Sequence, residues 1–147
     1  MQMNFRLSED WDEDFADLAT ADETAIRYYI ALGYVLLGND RTDLSANWGW
    51  IPLVDFALAL REIADALSET EGSELFEFTE SEATLQFDRI GDRMTIMASY
   101  APGQLTAPFL EFKNQVDTFA HRLDQELLGK HPELGLNPDY QRLNLSR

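Results

Sequence analysis

The sequence contains no cysteine, which excludes disulfide bonds, thiol catalysis and thiolate metal sites. Phosphate-cradling glycine loops are also missing, since the eight glycines are scattered singly along the chain. The longest uncharged apolar stretch, Tyr28 to Gly38, is far shorter than the ~20 residues that span a bilayer. The first six residues show neither the basic start nor the apolar stretch of a signal peptide. We therefore expect a cytoplasmic protein.

Positive charge is scarce, because 27 Asp and Glu stand against 11 Lys and Arg, only two of them lysines, for a net charge of −16. Contact with nucleic-acid phosphates or an anionic membrane would be repulsive over the whole surface. We expect no nucleic acid and no membrane as partner, and we favour a basic protein or a metal cation. Acid-rich, lysine-poor chains also occur as an adaptation to high salt, although the nine Phe show that large apolar residues are not depleted here.

The 147 residues are 45% hydrophobic and 26% charged, close to the globular average, which excludes wholesale disorder. A chain of this length buries roughly two-thirds of the surface that it exposes when unfolded. No internal repeat, low-complexity tract or linker divides it. The sequence predicts a single domain over residues 1–147, as a monomer or a homodimer.

Two segments have the three-and-four spacing of amphipathic helices. The first runs from Pro52 to about Leu67, with apolar residues at Leu53, Phe56, Ala57, Leu60, Ile63, Ala64 and Leu67. The second runs from Pro108 to about Leu128, with Phe109, Phe112, Val116, Phe119, Ala120, Leu123 and Leu127 on one stripe. Gly72 is expected to stop the first helix and Gly129 to close the second in a left-handed conformation.

Between these helices the apolar period changes to two, which predicts an antiparallel meander. Its strands cover Phe76 to Thr79, Ala83 to Asp88 and Met94 to Tyr100, separated by turns at Glu80-Ser81 and Ile90-Gly91-Asp92. One face of the meander is apolar and the other polar, so helices should cover one side only.

The first fifty residues are less regular. Phe5 and Leu7 indicate a short strand. Ile26 to Leu37 fits either a strand or a helix, and we favour a long strand because aromatic and β-branched residues dominate and Gly33 would weaken a helix. A turn at Gly38-Asn39-Asp40 would return the chain along Thr42 to Trp48. The predicted fold class is α+β, with an antiparallel sheet of five or six strands packed on one side by two amphipathic helices.

An acidic run near the N-terminus is the first candidate binding surface. It contains eight carboxylates against a single Arg6, namely Glu9, Asp10, Asp12, Glu13, Asp14, Asp17, Asp22 and Glu23. Asp10, Asp12 and Asp14 have the opening spacing of a calcium loop. The positions where such a loop requires a glycine and a glutamate are occupied by Phe15 and Ala21, so no metal site is expected here. Trp11, Phe15 and Leu18 would anchor the apolar side of this segment, and the run is either a solvated face or a surface for a basic partner.

A second acidic run consists of Glu69, Glu71, Glu74, Glu77, Glu80 and Glu82. Together the two runs contain 14 of the 27 acidic residues. If they lie on one side of the molecule, their field would steer a cationic protein towards it and would weaken with salt. Glu74 and Glu77 are the members that we assign to the partner surface.

The segment Trp48-Gly49-Trp50-Ile51-Pro52 lies at a predicted strand-to-helix junction. Two Trp residues beside a glycine either form a binding hot spot or close the edge of the core. The partner surface predicted from sequence therefore comprises Glu9, Asp10, Asp12, Glu13, Asp14, Asp17, Glu74, Glu77, Trp48 and Trp50.

Catalytic and cofactor motifs are not evident in the sequence. His121 and His131 are not spaced as a metal-binding pair, no nucleophile motif of the Gly-x-Ser-x-Gly type occurs, and both histidines are expected at the surface. We predict no catalytic residues, no metal ligands and no cofactor.

A small, acidic, cysteine-free α+β chain with this Trp48 to Pro52 segment and the Phe76 to Tyr100 meander resembles the immunity proteins of bacterial toxin systems. It is equally similar to uncharacterised small bacterial domains often grouped with them. The resemblance implies a non-enzymatic protein that binds a cognate toxin, often a basic nuclease, and blocks its active site. It carries over no individual residue.

The expected function is thus that of an immunity or inhibitor protein, with a DNA mimic as a variant of the same electrostatic idea. Two alternatives from other classes stay open. One is an enzyme that uses carboxylates and a divalent metal. The other is a housekeeping protein adapted to high salt.

Overall fold

Seven strands and four α-helices occur in the residues that the computed structural model describes, which are 1–13 and 17–147. The strands are β1 (Gln2–Leu7), β2 (Leu32–Gly38), β3 (Ala46–Pro52), β4 (Gly72–Glu77), β5 (Thr84–Ile90), β6 (Arg93–Ala98) and β7 (Ala101–Pro108). The helices are α1 (Glu23–Tyr28), α2 (Leu53–Glu69), α3 (Phe109–Lys130) and α4 (Pro138–Leu143), with a 3₁₀ turn (Pro132–Leu136) before α4. The predicted α+β class is confirmed.

The strands form two antiparallel sheets, so the prediction of one sheet with five or six strands is wrong. One sheet has the order β1-β2-β3 and the other the order β4-β5-β6-β7. Alternation in a sequence reveals which face of a strand is buried but not which strand lies beside it. The meander prediction also missed β7, because Pro102, Gly103 and Pro108 are typical of turns. These prolines are tolerated because β7 is an edge strand, where not every backbone N–H is needed by a neighbour.

The two long helices are confirmed, and they pack against each other and against both sheets. Helix α2 contacts α3, β2, β3 and β4, and helix α3 also contacts β1, β6 and β7. The helices therefore join both sheets into one core instead of covering one side of a single sheet. The helices end within two residues of their predicted ends, at Glu69 and Lys130, but the roles predicted for two glycines are wrong. Gly72 is the first residue of β4, and Gly129 is an ordinary residue within α3 rather than a left-handed cap.

The predicted strand from Ile26 to Leu37 is wrong in its first half. Helix α1 occupies Glu23–Tyr28, where the Asp22 side chain accepts a hydrogen bond from the Ala25 backbone N–H at 2.8 Å. This N-cap satisfies a helix-end donor that the apolar pattern does not reveal. Strand β2 then begins at Leu32, after Ala31 has adopted a positive φ of 52°. The returning strand β3 is also displaced, since it runs from Ala46 to Pro52 rather than from Thr42 to Trp48.

The C-terminal segment docks on the body, as its apolar residues indicate. Leu134 and Tyr140 are buried, whereas Leu136 is 76% exposed. The Arg61 guanidinium of α2 donates to the backbone carbonyls of Leu143, Asn144 and Leu145. These contacts satisfy the carbonyl groups at the end of α4. In the part of the chain that the structure describes, no helix has the length and apolar character needed to cross a membrane, and the cytoplasmic location stays a prediction.

Gly33 marks the closest approach of β2 to β1. A Cβ atom at this position would lie 2.2 Å from the Arg6 carbonyl oxygen and 2.9 Å from a methyl carbon of Leu53. The oxygen belongs to the backbone of the paired strand, so it cannot swing aside as a flexible side chain would. Glycine is therefore required where β1 and β2 meet the first turn of α2.

We predict that Gly33→Ala lowers the free energy of unfolding by about 2–4 kcal/mol, because the added methyl group forces the two strands apart. The matched control is Gly129→Ala in α3, where nothing lies within 4 Å of the new Cβ. Alanine is the better helix former, so this control should gain up to about 1 kcal/mol. Urea unfolding of both variants measures the difference, and equal stabilities would contradict the close approach.

Candidate functional site

The two tryptophans of β3 form a stacked pair. Their ring centroids are 5.2 Å apart and the ring planes are within 16° of parallel. Strand β3 bulges here, because its register with β2 shifts between Gly33 and Val35 and leaves residues 47–50 opposite Tyr34. Trp48 and Trp50 lie side by side within this bulge, with Gly49 between them. Trp48 also packs edge-on against Phe78 and Tyr100, each at a centroid distance of 5.0 Å.

The sequence left two interpretations open for these tryptophans, a binding hot spot and closure of the core, and each interpretation fits one of the two rings. Trp48 is half-buried and closes the core between the two sheets, because Phe78 follows β4 and Tyr100 lies between β6 and β7. Trp50 is 40% exposed and presents a large aromatic surface to solvent. Trp48 therefore closes the edge of the core, whereas Trp50 is exposed and free to act as a contact residue.

Gly49 connects the tryptophan pair to the beginning of the acidic run. It has a positive φ of 79°, and a Cβ there would lie 3.0 Å from the Tyr34 hydroxyl oxygen. Its carbonyl accepts a hydrogen bond from the Ser8 hydroxyl, and the Ser8 N–H donates to the Leu32 carbonyl at 2.9 Å. Ser8 thus fixes the chain that leaves β1 beside β2 and β3, immediately before Glu9.

A polar groove of about 780 Å³ results from this attachment, and we call it the acidic groove. Its walls include Arg6, Ser8, Glu9, Asp10, Glu13, Tyr34, Trp48, Gly49 and Trp50. Three carboxylates thus face one guanidinium, and the Arg6 guanidinium is already stacked over the Tyr34 ring at 4.2 Å. Five of the residues predicted from sequence as a partner surface line this single groove.

A second, mostly apolar cavity of about 610 Å³ also has Trp50 in its lining, and we call it the aromatic pocket. It is lined by Tyr28, Tyr29, Leu32, Trp50, Pro52, Thr79 and Glu80. Trp50 belongs to both depressions, so the acidic groove and the aromatic pocket are neighbours. Sequence reasoning missed this pocket because Tyr28 and Tyr29 were assigned to a strand, whereas they lie at the end of α1.

The acidic segment is attached to the C-terminal region through an imidazole. The two ring nitrogens of His131 face Asp12 at 2.7 Å and Glu133 at 3.2 Å. The buried Trp11 packs edge-on against the same ring at 5.2 Å. His131 was predicted at the surface, yet it is half-buried between two carboxylates. Asp12 therefore anchors the segment and does not line the acidic groove.

The other predicted acids lie apart from the groove. Asp17 accepts a hydrogen bond from the Ala19 N–H at 2.9 Å and shapes the turn that precedes α1. Asp14 lies outside the described residues. Glu74 and Glu77 line a separate groove between β4 and α2, together with Glu62. The second acidic run meets the tryptophan pair only through Glu80, at the rim of the aromatic pocket.

The described residues contain no group of three or more His, Asp or Glu side chains placed to hold a metal ion. His121 has an ordinary contact with the Ser146 hydroxyl at 3.2 Å.

Tyr140 donates to an Asp124 carboxylate oxygen at 2.6 Å, and burial together with this bond raises the pKa of its phenol. The hydroxyl of the half-buried Tyr100 donates to the Leu44 carbonyl at 2.7 Å, and both tyrosines act as structural anchors.

Neither protein-family models, nor curated proteins, nor solved structures match this chain. The case for a site thus depends on its geometry and charge. What the geometry offers is a polar acidic groove and an apolar pocket, divided by one exposed indole.

Asn137 is a polar residue that fixes the segment between the acidic groove and helix α1. It is buried, and its side-chain amide donates to the carbonyls of Leu18 and Ala21 at 2.8 and 2.7 Å. Its side-chain oxygen accepts from the backbone N–H groups of Asp139 and Tyr140. One side chain thus satisfies four backbone groups from two distant parts of the chain.

We predict that Asn137→Ala lowers the free energy of unfolding by about 2–4 kcal/mol, because these backbone groups lose their partner in a buried place. Asn114→Ala makes the same chemical change at an exposed position of α3 and should alter stability by less than about 0.5 kcal/mol. Chemical denaturation measures both variants. A loss below 1 kcal/mol for Asn137→Ala would contradict the anchoring role.

We predict that Trp48→Ala destabilises the fold by about 2–4 kcal/mol, since it opens the contact with Phe78 and Tyr100. Trp50→Ala removes a ring that is 40% exposed and stacks only on Trp48 among the described aromatic rings, and it should cost no more than about 1 kcal/mol. Thermal and urea unfolding of the two variants compare the same substitution two residues apart. Equal losses would contradict the division of the pair into a core residue and a surface residue.

Proposed function

We propose that this chain is a non-enzymatic binding protein that neutralises a basic protein partner, as the immunity proteins of toxin systems do. The observation that carries the proposal is the acidic groove, where Glu9, Asp10 and Glu13 converge beside Trp48 and Trp50. The partner would place lysine and arginine side chains in this groove. Inhibition would follow when those basic side chains are the ones that a nuclease uses to hold phosphate.

Charge complementarity supports a cationic occupant. The side chains of Glu9, Asp10 and Glu13 make no hydrogen bond or ion pair with any other described residue, and all three are exposed. They are therefore available for contacts with a partner, and their mutual repulsion is relieved when a cation approaches. The whole molecule, at a net charge of −16, adds a field that raises the association rate of a basic protein.

The exposed indole supports a protein as the occupant rather than a free ion. Binding energy at protein interfaces is concentrated in a few residues, among which Trp is enriched, surrounded by polar contacts that exclude water. Trp50 has this arrangement, with an acidic groove on one side and an apolar pocket on the other. An inorganic divalent cation binds through converging oxygen ligands, which an exposed indole does not supply.

The two alternatives stay predictions with less support. A carboxylate- and metal-dependent enzyme needs several ligands that converge, and the described part of the chain contains no such cluster. A salt-adapted housekeeping protein needs acids spread over its surface, whereas three of them here share a groove with an exposed tryptophan. Thermal unfolding with millimolar magnesium, calcium or manganese tests the first, and loss of folding at low salt would favour the second.

The direct experiment uses the tagged protein as bait in a lysate of its own source. Three versions are compared, namely the wild type, a groove variant and a charge-matched control. The groove variant carries Glu9→Gln, Asp10→Asn and Glu13→Gln. The control carries Asp40→Asn, Asp92→Asn and Asp117→Asn, three exposed acids outside both depressions that give the same change in net charge.

We expect the wild type and the control to retain the same basic protein in stoichiometric amount at low salt, and the groove variant to lose it. With the purified partner, the groove variant should associate more slowly by on the order of tenfold, and this difference should shrink as salt rises. Equal association by the groove variant and the control would show that only the overall charge matters. Stoichiometric capture of an acidic or neutral protein by all three versions would contradict the proposal.

A further inference from the structure

The aromatic pocket has the lining of a site for a flat cation. Three of its side chains are aromatic, and Tyr28, Tyr29 and Trp50 give it π surfaces on separate elements, the end of α1 and strand β3. The negative face of an aromatic ring attracts a cation, and Trp does so most strongly. At about 610 Å³, the pocket has the size of ordinary small-ligand sites.

Trp50 is held in a way that leaves ring surface available. Trp48 covers one face of the indole at 5.2 Å, and no other ring among the described residues stacks on the opposite face. Tyr29 is 60% exposed, so its ring is also largely free. The pocket therefore offers aromatic surface that the fold does not use for its own packing.

The only charged side chain among the described residues that line the pocket is Glu80. It is exposed and makes no side-chain hydrogen bond or ion pair with another described residue. The guanidinium carbon of Arg27 lies 5.8 Å from the Tyr28 ring centroid, but Arg27 is paired with Asp55 at 2.7 Å. The negative charge at the pocket is thus not neutralised from within the described chain.

The backbone beside the pocket is unusual as well. Ala31, which precedes Leu32, has a φ of 52°, and Glu80 has a φ of 58°. They are two of the three non-glycine residues with positive φ in the described ranges. Such conformations are uncommon for residues with a side chain and occur often where a ligand is held. They set the positions of Leu32 and of the Glu80 carboxylate at the pocket.

We propose that the aromatic pocket receives the guanidinium group of an arginine side chain of the basic partner, stacked on Trp50 and paired with Glu80. This inference rests on the proposed function and names the side chain that the surface beside the acidic groove recognises. Arginine fits better than lysine because its planar, weakly hydrated guanidinium stacks on aromatic rings, whereas the lysine ammonium is a strongly hydrated point charge. The Glu80 carboxylate then supplies a charge-assisted hydrogen bond.

The test uses free compounds in place of the partner. N-acetyl-L-arginine methylamide is titrated into the full chain, and the indole N–H signals of Trp11, Trp48 and Trp50 are followed by NMR. N-acetyl-L-citrulline methylamide serves as the neutral analogue of the same shape, and N-acetyl-L-lysine methylamide has the same charge without the flat group. Glu80→Gln is compared with Glu82→Gln, an exposed acid that does not line the pocket.

We expect the arginine compound to shift the Trp50 signal in a saturable manner, with a dissociation constant on the order of 1 mM. The buried Trp11 should not respond. Affinity should fall about threefold in Glu80→Gln and remain unchanged in Glu82→Gln. In Trp50→Leu, which lacks the Trp50 signal, the titration is followed at the neighbouring Trp48 indole N–H, and affinity should fall on the order of fivefold. The citrulline and lysine compounds should shift the Trp50 signal weakly and without saturation.

Equal binding of the citrulline compound would overturn the role of charge, and equal binding of the lysine compound would overturn the choice of arginine. The absence of any saturable shift at Trp50 would overturn the pocket itself. None of these results depends on capture of the partner, so the pocket can fail while the acidic groove stands. Conversely, loss of partner capture would leave a measured arginine site in place.

Discussion

The packing of Trp48 joins the two sheets of the molecule. Its ring touches Phe78, which follows β4, and Tyr100, which lies between β6 and β7 of the four-stranded sheet, while its own strand β3 belongs to the three-stranded sheet. The Tyr100 hydroxyl strengthens the same junction by donating to the Leu44 carbonyl at 2.7 Å. Once Trp48 is fixed there, the stacking contact holds Trp50 beside it as the more exposed ring of the pair. The contact that stabilises the core thereby determines that Trp50, rather than Trp48, is the more exposed ring.

Acidic side chains lie beside the tryptophans because Ser8 attaches the chain after β1 to strands β2 and β3. The hydrogen bonds of Ser8 to Gly49 and to Leu32 keep the chain after β1 beside the tryptophan strand. Glu9, Asp10 and Glu13 consequently lie together at one groove, although repulsion alone would spread them apart. Asp12, between them in sequence, turns to His131 and holds the segment to the C-terminal region. The acidic run thus combines a carboxylate that anchors the segment with carboxylates that stay exposed at the groove.

The sequence predicts the parts of the fold whose signal is local. Helices α2 and α3 are long enough to show several turns of apolar spacing, and the meander shows its alternation directly. The division into two sheets depends on which strands become neighbours, and alternation carries no information about that. The Trp48 to Pro52 segment was recognised as a candidate, but its two rings have opposite roles because of distant residues, Phe78 and Tyr100. The aromatic pocket was missed because it arises where α1 ends, and the Asp22 cap that starts α1 was outweighed by the aromatic residues that follow.

We infer that the acidic groove and Trp50 form one surface for a basic protein. Amide hydrogen exchange of this chain, alone and in complex with the partner that it retains, locates the surface that the partner covers. We expect slower exchange in residues 6–13 and 48–50 in the complex, with little change along the exposed face of α3. Slower exchange confined to α3 or to the groove lined by Glu74 and Glu77 would place the partner elsewhere and overturn this inference.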